Sequence, residues 1–180
     1  MSNDHANSFS EAPGAALNSA PGQLHEVVVL ALEEVVALDL TIATHVFAHE
    51  DNGRYRVRLA SLDGAPVRTR TGFFITVDDD LGALETADTV LVPGYDRRPQ
   101  PEAVLDALRR AAARGVRVAS ICTGAFALAA AGLLEGRRAT THWAHAAELA
   151  RLHPGVTVDA AVLYVDEGRV LTSAGVVAGI

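Results

Sequence analysis

V-R-V-A-S-I-C-T-G-A-F, running from Val116 to Phe126, is the stretch on which the reading of this chain turns. An apolar, β-branched run (Val116, Val118, Ile121) stops at Cys122, and Thr123-Gly124 opens a segment rich in alanine and leucine. The first half reads as a strand and the second as a helix. A strand that feeds straight into a helix makes a sharp turn and holds the turn residue above the carboxyl edge of its sheet. That is the geometry of a nucleophile elbow, here with a thiol in place of a hydroxyl. N–H groups and the dipole at a helix start favour the thiolate, so Cys122 is expected to ionise well below the ~8.5 of a free thiol. The alternative is a buried cysteine that behaves as a small hydrophobe. It is the single cysteine of the chain, which leaves no intrachain disulfide and fits a reducing, cytoplasmic compartment.

Working outward, strands and helices alternate. Leu24–Leu32 reads as a buried parallel strand, and Asp39 follows where a first helix begins, a position that suits a carboxylate. Arg54–Leu62 alternates as a half-buried strand, and Val67–Val77 fits a short hairpin after the turn at Asp63-Gly64. The acidic cluster Asp78-Asp79-Asp80 lacks the further ligands of a calcium loop and reads as a solvated turn. Asp88–Pro93 is a second buried strand, ended by Pro93-Gly94, and Pro101–Ala113 is a helix stopped by Gly115. The helix after Cys122 closes near Gly132 and Gly136. Ala139–Trp143 (A-T-T-H-W) is extended, Ala144–Leu152 helical, and Val156–Val158, Ala161–Val165 and Val170–Thr172 are strands. The pattern predicts an α/β sandwich with a mainly parallel sheet.

Residues 1–22 are polar or small without hydrophobic period and read as a disordered tail, leaving 23–180 as one domain. The chain ends at Ile180 inside the apolar run Ala174–Ile180, as if a final helix were cut as it began. No apolar run reaches the ~18 residues of a membrane span, and no secretory signal is visible. All 15 basic residues are arginine; without lysine there is no Schiff base, no lysine general base and no P-loop lysine. A net charge of −7 argues against extended nucleic-acid contact, and the scattered arginines are expected on solvated faces.

In a parallel sheet, reactive groups gather at the carboxyl ends of the strands. The Asp39 turn, the Pro93-Gly94 turn, Cys122 and the A-T-T-H-W segment are all expected there. Cys122 is the candidate nucleophile and His142 the histidine placed to share its proton, with Asp39 bonding either one. The N–H after Gly94, which is that of Tyr95, and the N–H of Thr123 are candidate oxyanion donors. Each has a plainer reading: packing beside Trp143 for His142, a simple turn for Gly94. His45 and His49, four apart on a helix, lack a third ligand for a metal, and His142 with His145 is no better; no metal or cofactor is expected.

Ser120–Trp143 (S-I-C-T-G-A-F-A-L-A-A-A-G-L-L-E-G-R-R-A-T-T-H-W), with V-L-V-P-G (Val90–Gly94) and L-T-S-A-G (Leu171–Gly175), resembles the ThiJ/PfpI superfamily of class I glutamine amidotransferase-like proteins. It is most similar to the amino-terminal domain of AraC-type transcriptional regulators, and the resemblance extends from Leu24 to the end. It implies a flavodoxin-like three-layer sandwich, usually dimeric, with Cys122 at the elbow, His142 matching the histidine after the elbow helix, and Asp39 matching an acidic position whose carboxyl approaches the sulfur. The isonitrile hydratases resemble the chain at Asp39, Cys122 and Thr123; there the thiolate adds to an isocyanide carbon, giving an N-substituted formamide after hydration. Both branches carry Gly-Pro shortly after the acidic residue, where this chain has Ile42-Ala43.

The resemblance implies a ligand-sensing and dimerisation domain of an AraC-type regulator, with a small-molecule ligand and a homodimeric partner, no membrane, and a DNA-binding module outside this chain. The alternative is a stand-alone cysteine-dependent hydratase or hydrolase. A third reading, a redox sensor, needs an exposed thiol of low pKa and a resolving partner.

Overall fold

Val27, Val28, Val29 and Leu30 are fully buried, which makes their segment a central strand rather than an edge. This is β1 (His25–Leu30) in the computed structural model, which describes residues 24–48 and 53–175. The expected tail, His49 and the apolar run after Gly175 lie outside the described residues. The elements that follow are α1 (Ala37–Ala48), β2 (Tyr55–Ala60), β3 (Val67–Arg68), β4 (Phe74–Ile75), β5 (Thr89–Val92), α2 (Glu102–Ala113) and β6 (Arg117–Ile121). Then come α3 (Ala125–Ala130), β7 (Arg138–Ala139), α4 (Ala146–Leu152), β8 (Thr157–Val158), β9 (Tyr164–Asp166) and β10 (Val170–Ser173).

Among the described residues the central sheet has the order β2-β1-β5-β6-β10-β9. It is parallel throughout except for β9, which pairs antiparallel with β10. Alternation of side chains divides the core in two. Val27, Val29 and Leu91 face Leu40 and Ala43 of α1; Val28, Leu30, Val90, Val92 and Val118 face Leu108 of α2 and Leu128 of α3. The result is the expected helix–sheet–helix sandwich. At ~1.5–3 kcal/mol for each large apolar side chain fully buried, these two faces supply most of the drive to fold.

Strand order reverses at β1, with β2 on one side and β5 on the other. The carboxyl ends of β1, β5 and β6 therefore open a crevice where the helices diverge to opposite faces. The departure Ile42-Ala43 falls inside α1, which runs unbroken because no proline interrupts it; Ala43 is buried against the sheet.

Two local expectations change. The helix after Cys122 is shorter than the alanine-rich pattern predicts: α3 ends at Ala130, where the N–H groups of Gly132 and Leu133 return to the carbonyls of Ala129 and Leu128 and close the last turn. Of the strand expected over Ala161–Val165, only β9 from Tyr164 forms, because the Asp159 carboxylate accepts the Ala161 N–H at 3.0 Å and holds a turn there. The hairpin appears as the antiparallel pair β3–β4. No helix among the described residues is long and apolar enough to cross a membrane.

Candidate functional site

Cys122 stands where β6 ends, with φ +55°, in the left-handed region that non-glycine residues rarely enter. A single 3₁₀ turn, Cys122–Gly124, leads from it into α3. Such a conformation persists only when its surroundings hold it, and here they do. The Thr141 hydroxyl donates to the Cys122 carbonyl at 2.8 Å. The Thr123 hydroxyl donates to the Tyr95 carbonyl at 2.7 Å and accepts the Tyr95 N–H at 2.9 Å. All of these groups are buried, so losing either threonine hydroxyl leaves a dry polar atom unpaired, a cost of about 1–3 kcal/mol.

Two glycines make room beside the cysteine. A Cβ at Gly94 would lie 2.5 Å from Asp39 Oδ2 and 3.2 Å from the Cys122 Cβ, and one at Gly175 would lie 2.8 Å from the Cys122 Cβ. Gly94 is thus more than a turn after proline. Gly175, two residues past β10 and the last residue of L-T-S-A-G, joins the site although sequence reading does not place it there; that motif is the signal for it.

Asp39, in the first turn of α1, is buried, accepts the Gly94 N–H at 3.2 Å and lies beside the sulfur. Burial first, and the Asp39 charge second, push the Cys122 thiol up to about 11, although the Thr123 N–H and hydroxyl act the other way. The expected ionisation below ~8.5 is reversed. The physical reason is that Cys122 is buried against a carboxylate and is followed by one 3₁₀ turn and a six-residue helix, too little dipole to offset desolvation. The thiol also hydrogen-bonds the Asp39 carboxylate, which holds its proton in place.

A cavity of about 420 Å³ opens over this floor, with Asp39, Cys122 and Thr123 at its base and Val36 and Leu38 on one wall. His142 and His145, both half-buried, also line it, and the exposed Arg70 stands at its rim. His142 reaches the cavity as expected, but its Nδ1 accepts the Ala144 N–H at 3.2 Å. The proton of the neutral ring therefore sits on Nε2, which makes His142 a donor rather than a base for the thiol. Its ring stacks on Trp143, with centroids 5.5 Å apart.

Of the expected donors, Thr123 lines the cavity, whereas Gly94 and Tyr95 do not. The Tyr95 N–H cannot serve an oxyanion, because Thr123 already accepts it. The Tyr95 ring is buried in the core, and burial raises its phenol pKa. Arg70, Arg97 and His145 were not expected here. Arg97 donates to His145 Nε2 at 3.1 Å and pairs with Glu148 at 3.2 Å. No pattern in the sequence marks these residues, which come together only when the hairpin and the segment before α4 meet the crevice. Among the described residues no group of three metal-ligating side chains occurs, and His45 is exposed on α1.

The DJ-1/PfpI family profile matches residues 25–180. A protein from the cpoL 5' region of Streptomyces lividans is 47% identical over 72% of this chain and 96% of its own length. The isonitrile hydratase of Pseudomonas putida is 34% identical over 86% of this chain and 67% of its own. The HTH-type transcriptional regulator CdhR of Pseudomonas aeruginosa is 36% identical over 70% of this chain but only 38% of its own length. Among solved structures, an AraC family transcriptional regulator from Pseudomonas putida superposes with a TM-score of 0.70 at 22% identity, covering 84% of each chain.

Proposed function

The chain belongs to the DJ-1/PfpI family, and from that premise we propose that it is the ligand-sensing and dimerisation domain of an AraC-type transcriptional regulator, a cytoplasmic homodimer whose DNA contacts are made by another module. The observation that carries the reading is the floor of the cavity. Its thiol is pushed up to about 11 and the neighbouring imidazole offers a donor, not a base. A pocket built in this way encloses a small molecule without activating a nucleophile against it. Likeness to HTH-type regulators supports the same reading.

One arrangement favours a second reading, a hydratase of isocyanides. The Cys122 thiol hydrogen-bonds the buried Asp39 carboxylate beside Thr123, and such a pair can deliver sulfur to an electrophilic carbon while the carboxylate passes the thiol proton to the adduct. The experiment sets the two against each other. The purified chain and Cys122→Ser are incubated with cyclohexyl isocyanide, and N-cyclohexylformamide is measured by chromatography. In parallel, the whole chain is fused ahead of the helix-turn-helix module of an AraC-type relative, and promoter occupancy is measured. The sensing reading expects no formamide above the Cys122→Ser level and occupancy by a dimeric fusion. Cys122-dependent turnover with a monomeric, non-binding fusion overturns it in favour of the hydratase.

A further inference from the structure

We propose that the cavity takes a small carboxylate-bearing molecule, its acid group held at the rim by Arg70 and the His142 Nε2–H and its apolar body laid toward the Cys122 sulfur. This rests on the sensing reading and names the chemical class of the ligand.

The rim carries the argument. Arg70 follows β3 in an ordered turn: its N–H donates to the Val35 carbonyl at 3.1 Å, and Thr69 closes the turn through both its N–H and its hydroxyl onto the Phe73 carbonyl. The hairpin is thereby tied to the segment that walls the cavity. The neighbouring arginine, Arg68, is paired with Glu34. The Arg70 side chain lines the cavity, and among the described residues it has no ion-pair or hydrogen-bond partner.

The two histidines add no acceptor to the rim. His142 has its Nδ1 filled by Ala144, so Nε2 presents a hydrogen. His145 has its Nε2 filled by Arg97, so its hydrogen is on Nδ1, 3.6 Å from Glu148. Burial chiefly, then the charges of Arg97 and His142 and last that of Arg70, work against protonation of His145, despite the opposing pull of Glu148. An anion at the rim relieves that crowding of positive charge, and a planar guanidinium with two N–H edges matches a carboxylate in bidentate fashion.

The floor sets the orientation. Asp39 is buried there beside the sulfur, and a second carboxylate at that depth would meet a like charge in a dry site. Val36 and Leu38 add apolar lining to the cavity. The acid group therefore stays at the mouth. A cavity of about 420 Å³ is at the small end for ligand sites, which suits a short-chain acid.

The test uses the full chain and three isosteric probes: isovalerate, isovaleramide and isoamylammonium. Each is titrated for protection of Cys122 against iodoacetamide at pH 9, in wild type, Arg70→Gln and Arg70→Lys, with melting curves confirming that the variants fold. Isovalerate is expected to protect saturably, and the amide and ammonium at least tenfold more weakly. Arg70→Gln should raise the half-protecting isovalerate concentration at least tenfold and leave the amide unchanged, with Arg70→Lys in between. An unchanged isovalerate response in Arg70→Gln overturns the proposal. Equal protection by the amide or ammonium overturns the acid class while leaving a sensing pocket, and protection by none of the three removes both.

Discussion

The floor and the rim of one cavity are built on opposite terms. At the floor the polar groups around the cysteine turn are engaged by one another: Thr141 on the Cys122 carbonyl, Thr123 on both backbone groups of Tyr95, Gly94 on Asp39. At the rim, the Arg70 side chain has no such partner among the described residues, and His142 keeps one ring N–H beyond the Nδ1 that Ala144 fills. A floor so tightly satisfied holds a backbone strained at φ +55°. A rim left open keeps donors for something not part of the chain. One group in each region is nonetheless shifted toward its neutral form, the Cys122 thiol upward and His145 downward.

Breaking the floor is expected to have the largest effect. A Cβ at Gly124 would lie 2.1 Å from the Val92 carbonyl oxygen, which belongs to a central strand and cannot retreat. Gly124→Ala should cost at least ~3 kcal/mol, read as a lower urea midpoint, or prevent folding outright. The equivalent change at the rim, Arg70→Gln, removes an exposed side chain and should leave that midpoint within ~0.5 kcal/mol of wild type.

A milder change at the floor sharpens the comparison. The Cys122 alkylation rate plotted against pH should inflect near 11 in the wild type. Asp39→Asn removes the like charge that helps to raise it, so the inflection should move down and the rate at pH 8 should rise several-fold. A wild-type inflection below ~8.5 would restore the activated thiolate that the sequence suggested.

The smallest effect belongs to the histidines. His145 at the rim and His25, buried against Thr89, both have pKa values lowered chiefly by burial. In the unfolded chain each binds its proton with a pKa near ~6.5. Between the lowered folded value and ~6.5 the unfolded state therefore holds more protons, and stability falls as pH drops through that window. Urea midpoints should decrease modestly from pH 7.5 to 5.5, and His25→Gln should flatten the decrease. An unchanged slope in that variant would assign the loss to other groups.

Much of this was legible in the sequence because it depends on neighbours along the chain. Val27–Leu30, Val90–Val92 and Val118 form strands where β-branched runs occur, Pro101 and Gly115 bracket α2, and Cys122 sits at the turn that its flanking strand and helix require. Asp39, Cys122, Thr123 and His142 were placed at one sheet edge by the rule that crossovers return there, and they do line one cavity. What the sequence could not state is which polar atoms would still be unengaged after folding. The Tyr95 N–H is consumed by a threonine 28 residues away, and His142 has its Nδ1 taken by Ala144.

The sequence by itself determined the alternation of elements, the turn that sets the cysteine at the carboxyl end of its strand and the absence of lysine chemistry, since each follows from local pattern or composition. The tertiary structure decided the state of that thiol and the character of the pocket. A pKa depends on burial and on charges brought near through space, and Asp39 is carried to the sulfur by the packing of α1 on β1 and β2. The rim was decided in the same way, because Arg70 is distant along the chain from His142 and joins it only through the hairpin's bonds to Val35.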